Sequence, residues 1–237
     1  MSGMDRTERD ARVAEIAALD QPVRRALYAA LVDRGEWIGR DDAAEAVGVP
    51  RSVAAFHLDK LARAGLIDVR FARPSGRQGP GAGRPAKQYR RADREVAVSL
   101  PDRRYDLAGA LLADAVVDAA ATGRPVAVAV TQVARERGEQ IGAALRDELS
   151  NPRSEGPACA VAARALERLG YEPHEAGGEV VLANCPFHAL AERHRDLVCG
   201  MNLELLAGLA DGLGTSPRLE PRLEPAEGMC CVRLKQR

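Results

Sequence analysis

The chain has 237 residues, of which 46% are hydrophobic, 29% charged and only 3% aromatic, and its formal net charge is zero. That length supports one large domain or two smaller ones with cores of their own, and so few aromatic residues leave the core to Ala, Leu and Val, which favours helices. No apolar run approaches the roughly 20 residues that cross a bilayer, so no membrane-spanning helix is expected.

The charged N-terminal stretch MSGMDRTERDARVAEIAALD lacks the apolar centre of a signal peptide, so a cytoplasmic location is expected. Five cysteines, an odd number, argue against a disulfide framework and leave metal binding, redox sensing or burial. The neutral total hides an asymmetry. Between Arg51 and Arg94 eleven basic residues face only Asp59, Asp68 and Asp93. A basic segment within an otherwise acidic chain is the electrostatic footprint of a polyanionic partner.

PVRRALYAALVD (22–33) opens with Pro at a first helical position and repeats Val23, Leu27, Ala30 and Leu31 at helical spacing. A short link follows, then a brief helix from about Asp41 to Val47, closed by Gly48 and Pro50. RSVAAFHLDKLARAGLI reads as a longer helix. Its Ala54, Leu58, Leu61 and Leu66 can face a core, while Arg51, Ser52, Ala55 and Phe56 lie on other faces. IDVRFAR alternates as a strand. SGRQGPGAGRPAK is too rich in Gly and Pro for a core, and YRRADREVAVSL reads as a second strand running onward. Within the loop, GPGAG lacks the spacing of a phosphate-binding fingerprint, and Pro85 stands where a helix would have to begin. Helix, short helix, longer helix and a hairpin with a basic loop make a winged helix-turn-helix over 15–98.

Residues 22–97 resemble the DNA-binding domain of ArsR-like and MarR-like bacterial regulators, through GVPRSVAAFHLDKLARAGLI and GAGRPAKQY. The resemblance implies a homodimer on double-stranded DNA, with the longer helix in the major groove and the wing on phosphate or the minor groove. Arg51, Ser52, Ala55 and Phe56 are then the groove-facing candidates, with Lys60 on the same helix. Arg73, Arg77, Arg84 and Lys87 are wing candidates that supply affinity more than sequence choice. His57 reads as a packed histidine beside Leu58.

From Arg104 the composition turns Ala-rich and mildly acidic. YDLAGALLADAVVDAA, PVAVAVTQVARERGEQIGAALRDEL and ACAVAARALERLG read as helices, with NPRSEGP a loop between the last two. YEPHEAGGEVVLANC reads as a hairpin turning at Gly177–Gly178. MNLELLAGLADGLG is a further helix, PRLEPRLEP an edge strand or spacer, and MCCVRLKQ a closing strand. The expected fold class is α+β: an N-terminal winged helix-turn-helix followed by a C-terminal α+β sensor and dimerisation domain over 104–237.

NCPFHALAERHRDLVC (184–199) concentrates two cysteines and two histidines. On one continuous helix Cys185, His188, Glu192 and Cys199 would share a narrow sector. A rise of about 1.5 Å per residue would nevertheless hold Cys185 and Cys199 roughly 21 Å apart, too far to share a metal. Joint ligation needs a break. Pro186 suits a first helical position with Cys185 as cap, and Asp196 suits the cap of a second helix with Cys199 in its first turn. Both thiols would then sit at helix N-termini, where the thiolate is favoured. A third thiol would come from Cys230 or Cys231, which point to opposite faces of a strand. His188 is the first choice for a fourth ligand, with His194, Glu192, the second thiol or an external group as alternatives. Cys159, in the apolar ACAVAA, reads as core.

The second half also resembles the sensor domain of SufR-type iron–sulfur repressors over about 110–237, through NCPFHALAERH, the following LVC and the late GMCC. Here the first two cysteines are one residue further apart, and Arg195 stands where a proline is expected. The resemblance implies an iron–sulfur cluster, of 4Fe–4S type, on Cys185, Cys199 and one of Cys230 or Cys231, in a repressor whose DNA binding follows redox or cluster state. Three thiolates plus a nitrogen also suit zinc. The alternative is a regulator of the same fold that binds an organic effector, with structural or zinc-binding cysteines. An enzyme is not expected, since there is no Cys-x-x-Cys pair and no Cys–His–acid arrangement.

Overall fold

The computed structural model describes residues 6–72, 85–149 and 158–237. The wing candidates Arg73, Arg77 and Arg84, the GPGAG stretch and the NPRSEGP loop lie outside the described residues. The chain separates into two compact units, one of Arg6–Val98 and one built from Ser99–Arg237.

The first unit runs α1 (Arg6–Ala17), α2 (Pro22–Arg34), β1 (Ile38–Gly39), α3 (Arg40–Val47), α4 (Arg51–Arg63), β2 (Ile67–Ala72) and β3 (Ala86–Arg91). Pro22 starts α2 behind Gln21, whose side chain accepts the Arg24 N–H at 2.8 Å. Gly48 ends α3 at a φ of 69°, a left-handed position that costs glycine nothing, and Pro50 then caps α4. Leu27 and Leu31 of α2, Ala43 and Ala44 of α3, and Ala54, Leu58 and Leu61 of α4 are buried together with Ile67 and Tyr89 of the sheet. The three strands are antiparallel in the order β1-β3-β2, with Val69 opposite Tyr89 and Phe71 opposite Lys87.

Two features depart from the sequence reading. Neither α1 nor β1 is visible in the hydrophobic pattern: α1 leaves Val13 and Ile16 exposed, and β1 has only two residues. The strand expected to run on through YRRADREVAVSL stops at Arg91. Arg91 pairs with Ile67, the first residue of β2, so β2 offers no partner beyond it.

The second unit runs α5 (Tyr105–Thr122), α6 (Val126–Leu149), α7 (Ala158–Arg168), β4 (Pro173–Ala176), β5 (Glu179–Leu182), α8 (His188–Arg193), α9 (Arg195–Leu213), β6 (Leu219–Leu223) and β7 (Val232–Gln236). Its sheet is antiparallel in the order β4-β5-β7-β6, with the proline-bearing β6 at an edge. Gly177 and Gly178 turn the β4–β5 hairpin at φ of 59° and 83°, as a two-residue loop requires.

Helices α6 and α9 run parallel and nearly touch backbone to backbone. A Cβ on Gly138 would stand 2.1 Å from the Leu205 carbonyl oxygen, and one on Gly208 would stand 2.0 Å from that of Arg135. Gly142 and Gly212 repeat the approach one turn later. Arg135 of α6 bridges the pair, reaching Glu204 at 2.9 Å and Asp211 at 2.7 Å on α9. Among the described residues no helix is long and apolar enough to cross a membrane.

Candidate functional site

On α4 the side chains of Arg51, Ser52, Phe56 and Lys60 are exposed and Ala55 is half-buried, so the candidates proposed for this helix do lie away from the core. Arg51 pairs with Asp41 at 2.6 Å, and the Lys60 ammonium lies 5.6 Å from the centre of the Phe56 ring. His57 is half-buried with its Nδ1 unpartnered. Burial, together with the charge of Arg24, lowers its pKa, in keeping with a packed, neutral imidazole.

Lys87 has a different setting from the one expected of a free wing cation. Its ammonium donates to the Asp59 carboxylate of α4 at 2.9 Å. The Tyr89 hydroxyl donates to the same carboxylate at 3.1 Å and accepts from Arg40 Nε at 2.9 Å, while Arg40 also lies 3.5 Å from Asp59. Burial raises the Asp59 pKa, but the hydrogen bonds from Lys87 and Tyr89 outweigh it and hold the carboxyl below its usual range. Asp59, Arg40 and Tyr89 were not singled out from the sequence. The available signal was that Asp59 is the one acid on α4, facing a basic hairpin.

In the C-terminal unit a cleft of about 550 Å³ is lined by Cys185, Cys199 and Cys231, with Arg103, His188, Glu192 and Arg195 among its walls. Cys185 comes from the β5–α8 loop, Cys199 from the second turn of α9 and Cys231 from the residue before β7. Arg103 donates to the Cys185 carbonyl at 2.8 Å. Cys230 does not line the cleft and belongs to the core. It is 1% exposed and accepts a hydrogen bond from Asn202 Nδ2 at 3.3 Å, and the Asn202 carbonyl in turn accepts from the buried Tyr171 hydroxyl. The Cys230 N–H donates to Leu182 at 2.9 Å, which fastens this segment to β5.

The four thiols alter one another's proton affinity, Cys185 and Cys231 being lowered and Cys230 and Cys199 raised. A hydrogen bond from Cys230 holds Cys185 below the ordinary thiol value, helped by the Phe187 N–H and Arg103. The same thiol, followed by Cys199, brings Cys231 down to about 6. Cys230, whose single S–H can serve either Cys185 or Cys231 and which is deeply buried, is shifted upward. Burial, then the hydrogen bond to Cys231, pushes Cys199 up to about 12.

These positions correct the expected local geometry. The helical break is present, at His194, but His194 and not Asp196 caps α9, and Phe187 rather than Cys185 caps α8. Cys185 lies before α8, and Cys199 lies one turn too far into α9 for its free N–H groups to favour a thiolate. His188 is exposed, with Nε2 3.2 Å from Glu192, so it lines the cleft beside that carboxylate. Cys159 is buried in the core, its thiol donating to the Gly178 carbonyl at 3.5 Å.

Three thiols on one cleft, two of the four clustered sulfurs being driven toward thiolate, are in kind the donors a thiophilic cluster uses. Among the described residues no three His, Cys, Asp or Glu side chains are grouped to hold one metal ion.

Residues 19–70 match the family model of a helix-turn-helix domain. The match spans α2 through most of β2, and with β3 completing the sheet the N-terminal unit is a winged helix-turn-helix of the kind DNA-binding transcription regulators carry. Neither the curated proteins nor the solved structures contain a match to the chain.

Proposed function

We propose that this protein is a homodimeric transcription repressor that binds duplex DNA through α4 and the wing, and whose C-terminal unit senses redox or iron–sulfur status through Cys185, Cys199 and Cys231. One observation carries the reading: three thiols from separate stretches of the chain line a single cleft. Cys230 is not one of the set, being buried against Asn202. Its role is to hold the neighbouring sulfurs in place and to keep Cys185 and Cys231 ready to ionise.

An iron–sulfur cluster held by the three thiols would supply an oxidation-sensitive charge. Arg103 and Arg195 line the cleft and offset the negative charge of thiolates. Ligation would draw the β5–α8 loop, α9 and the start of β7 toward one another. In a dimer that movement would reset the spacing of two α4 helices against half-sites about one DNA turn apart.

The test is the visible absorption spectrum of protein purified without oxygen, with iron, sulfide and zinc assayed on the same sample. The reading expects matched iron and sulfide, lost in Cys185→Ala and Cys199→Ala. Colourless protein with neither, even after anaerobic reconstitution, contradicts it. A second reading, an organic effector, is favoured by the cleft's size of about 550 Å³. It expects a ligand-dependent rise in Tm of the colourless protein.

A further inference from the structure

The chain has three phenylalanines. Phe187 is fully buried, whereas Phe56 and Phe71 are 56% and 67% exposed. A protein this poor in aromatics exposes two of its three phenyl rings, and both belong to the helix-turn-helix unit. Phe56 is on the outward face of α4. Phe71 is on β2, directly opposite Lys87.

Strand alternation puts Phe71 on the same sheet face as Ile67, Val69, Lys87 and Tyr89. That is the face packed on α4, since Lys87 and Tyr89 both bond to Asp59. Ile67 and Tyr89 are covered by the helix, but Val69 is 38% exposed and Phe71 projects beyond it. Between helix and strand lies a concavity lined by Ala62, Val69, Arg63, Lys87 and Asp59. The one acid among these lining residues, Asp59, is shared by Lys87 and Arg40, so among the described residues the rim is net positive, with Arg63 and, one turn away on α4, Lys60 adding to it.

An apolar ring and a half-exposed valine inside a basic rim complement one partner well. On duplex DNA the cations meet phosphates while the ring lies against deoxyribose. We propose that Phe71, seconded by Val69, is a DNA-contacting residue, packing on the sugar edges of the groove wall beside the major groove that α4 enters. The proposal rests on the reading of the N-terminal unit as a DNA-binding domain.

The experiment uses the full chain and a duplex selected by the wild type from a random pool, with Kd measured across a salt series. An apolar contact releases no counterions, so Phe71→Ala is expected to bind about tenfold more weakly at every salt concentration with an unchanged log–log slope. Lys60→Ala should instead reduce the slope by about one. Phe71→Leu should recover most of the loss, and the melting temperature of each Phe71 variant should stay at the wild-type value. Wild-type affinity in Phe71→Ala overturns the proposal, as does a loss that tracks a change in oligomeric mass. Failure of the wild type to bind any duplex is a separate outcome that overturns the DNA-binding reading along with it.

Discussion

The Lys87 ammonium on the wing strand and the Asp59 carboxylate on α4 are joined at 2.9 Å, and this bond ties the wing to the helix beside it. Tyr89, fully buried under α4, donates its hydroxyl to the same carboxylate and accepts from Arg40 at the start of α3. Three elements that a helix-turn-helix must hold at fixed angles to DNA therefore meet at one acid. Lys87 is a positioning residue in this network before it is a source of positive charge.

Asp59→Ala should loosen the wing without unfolding the domain. The pair is about one-third exposed, so screening limits the loss of stability to about 1 kcal/mol, including the lost acceptor of Tyr89. The folded Asp59 carboxyl titrates below its ordinary value, so its contribution is complete above that value and disappears as pH falls through the lower folded one. Urea denaturation of wild type and variant should show a gap at neutral pH that closes in acid. A gap that widens in acid would refute the assignment.

The α6–α9 contact makes a sharp mutational contrast. Gly208→Ala puts a methyl group 2.0 Å from the Arg135 carbonyl oxygen, so the helices must part, at a cost of about 3 kcal/mol. Gly109 lies on α5 with open space around its would-be Cβ, and Gly109→Ala should stabilise by up to about 1 kcal/mol. Calorimetry on the two variants should move Tm in opposite directions.

In the cofactor-free protein the cleft thiols should differ in reactivity. Cys231, brought down to about 6 by Cys230 and partly exposed, should react as thiolate at neutral pH, so iodoacetamide should label it first, with a rate that falls only below about that pH. Cys199, raised to about 12 by burial, should be the slowest of the cleft thiols at neutral pH. The folded pKa of Cys231 lies below the ordinary 9.0, so its stabilising contribution is full above that value and is lost as pH falls toward 6. Cys199 is the reverse case: its contribution is intact below 9.0 and lost as pH rises toward 12. Peptide mass mapping after timed alkylation at several pH values checks the order.

The helical frame of the N-terminal unit was legible because Leu27, Leu31, Ala54, Leu58 and Leu61 repeat at helical spacing and Gly48 and Pro50 punctuate them. Helix α1 was not, since a mostly exposed helix writes no stripe into the sequence. The hairpin at Gly177–Gly178 was legible from its turn chemistry. The Cys185–Cys199 segment showed that a break was needed, yet its caps fell on Phe187 and His194, residues with no capping side chain, so the helix starts shifted. The division of labour between Cys230 and Cys231 was set by Asn202 and Tyr171, partners distant in sequence that no local pattern reveals.

On this proposal the C-terminal thiols govern DNA binding. The direct measurement is the affinity for a selected duplex of wild type and of Cys185→Ser, Cys199→Ser and Cys231→Ser, all purified side by side without oxygen. Wild type and each variant should differ in Kd at least tenfold, with Cys159→Ser unchanged. Equal affinities across the whole set would contradict it and return the cysteines to the core.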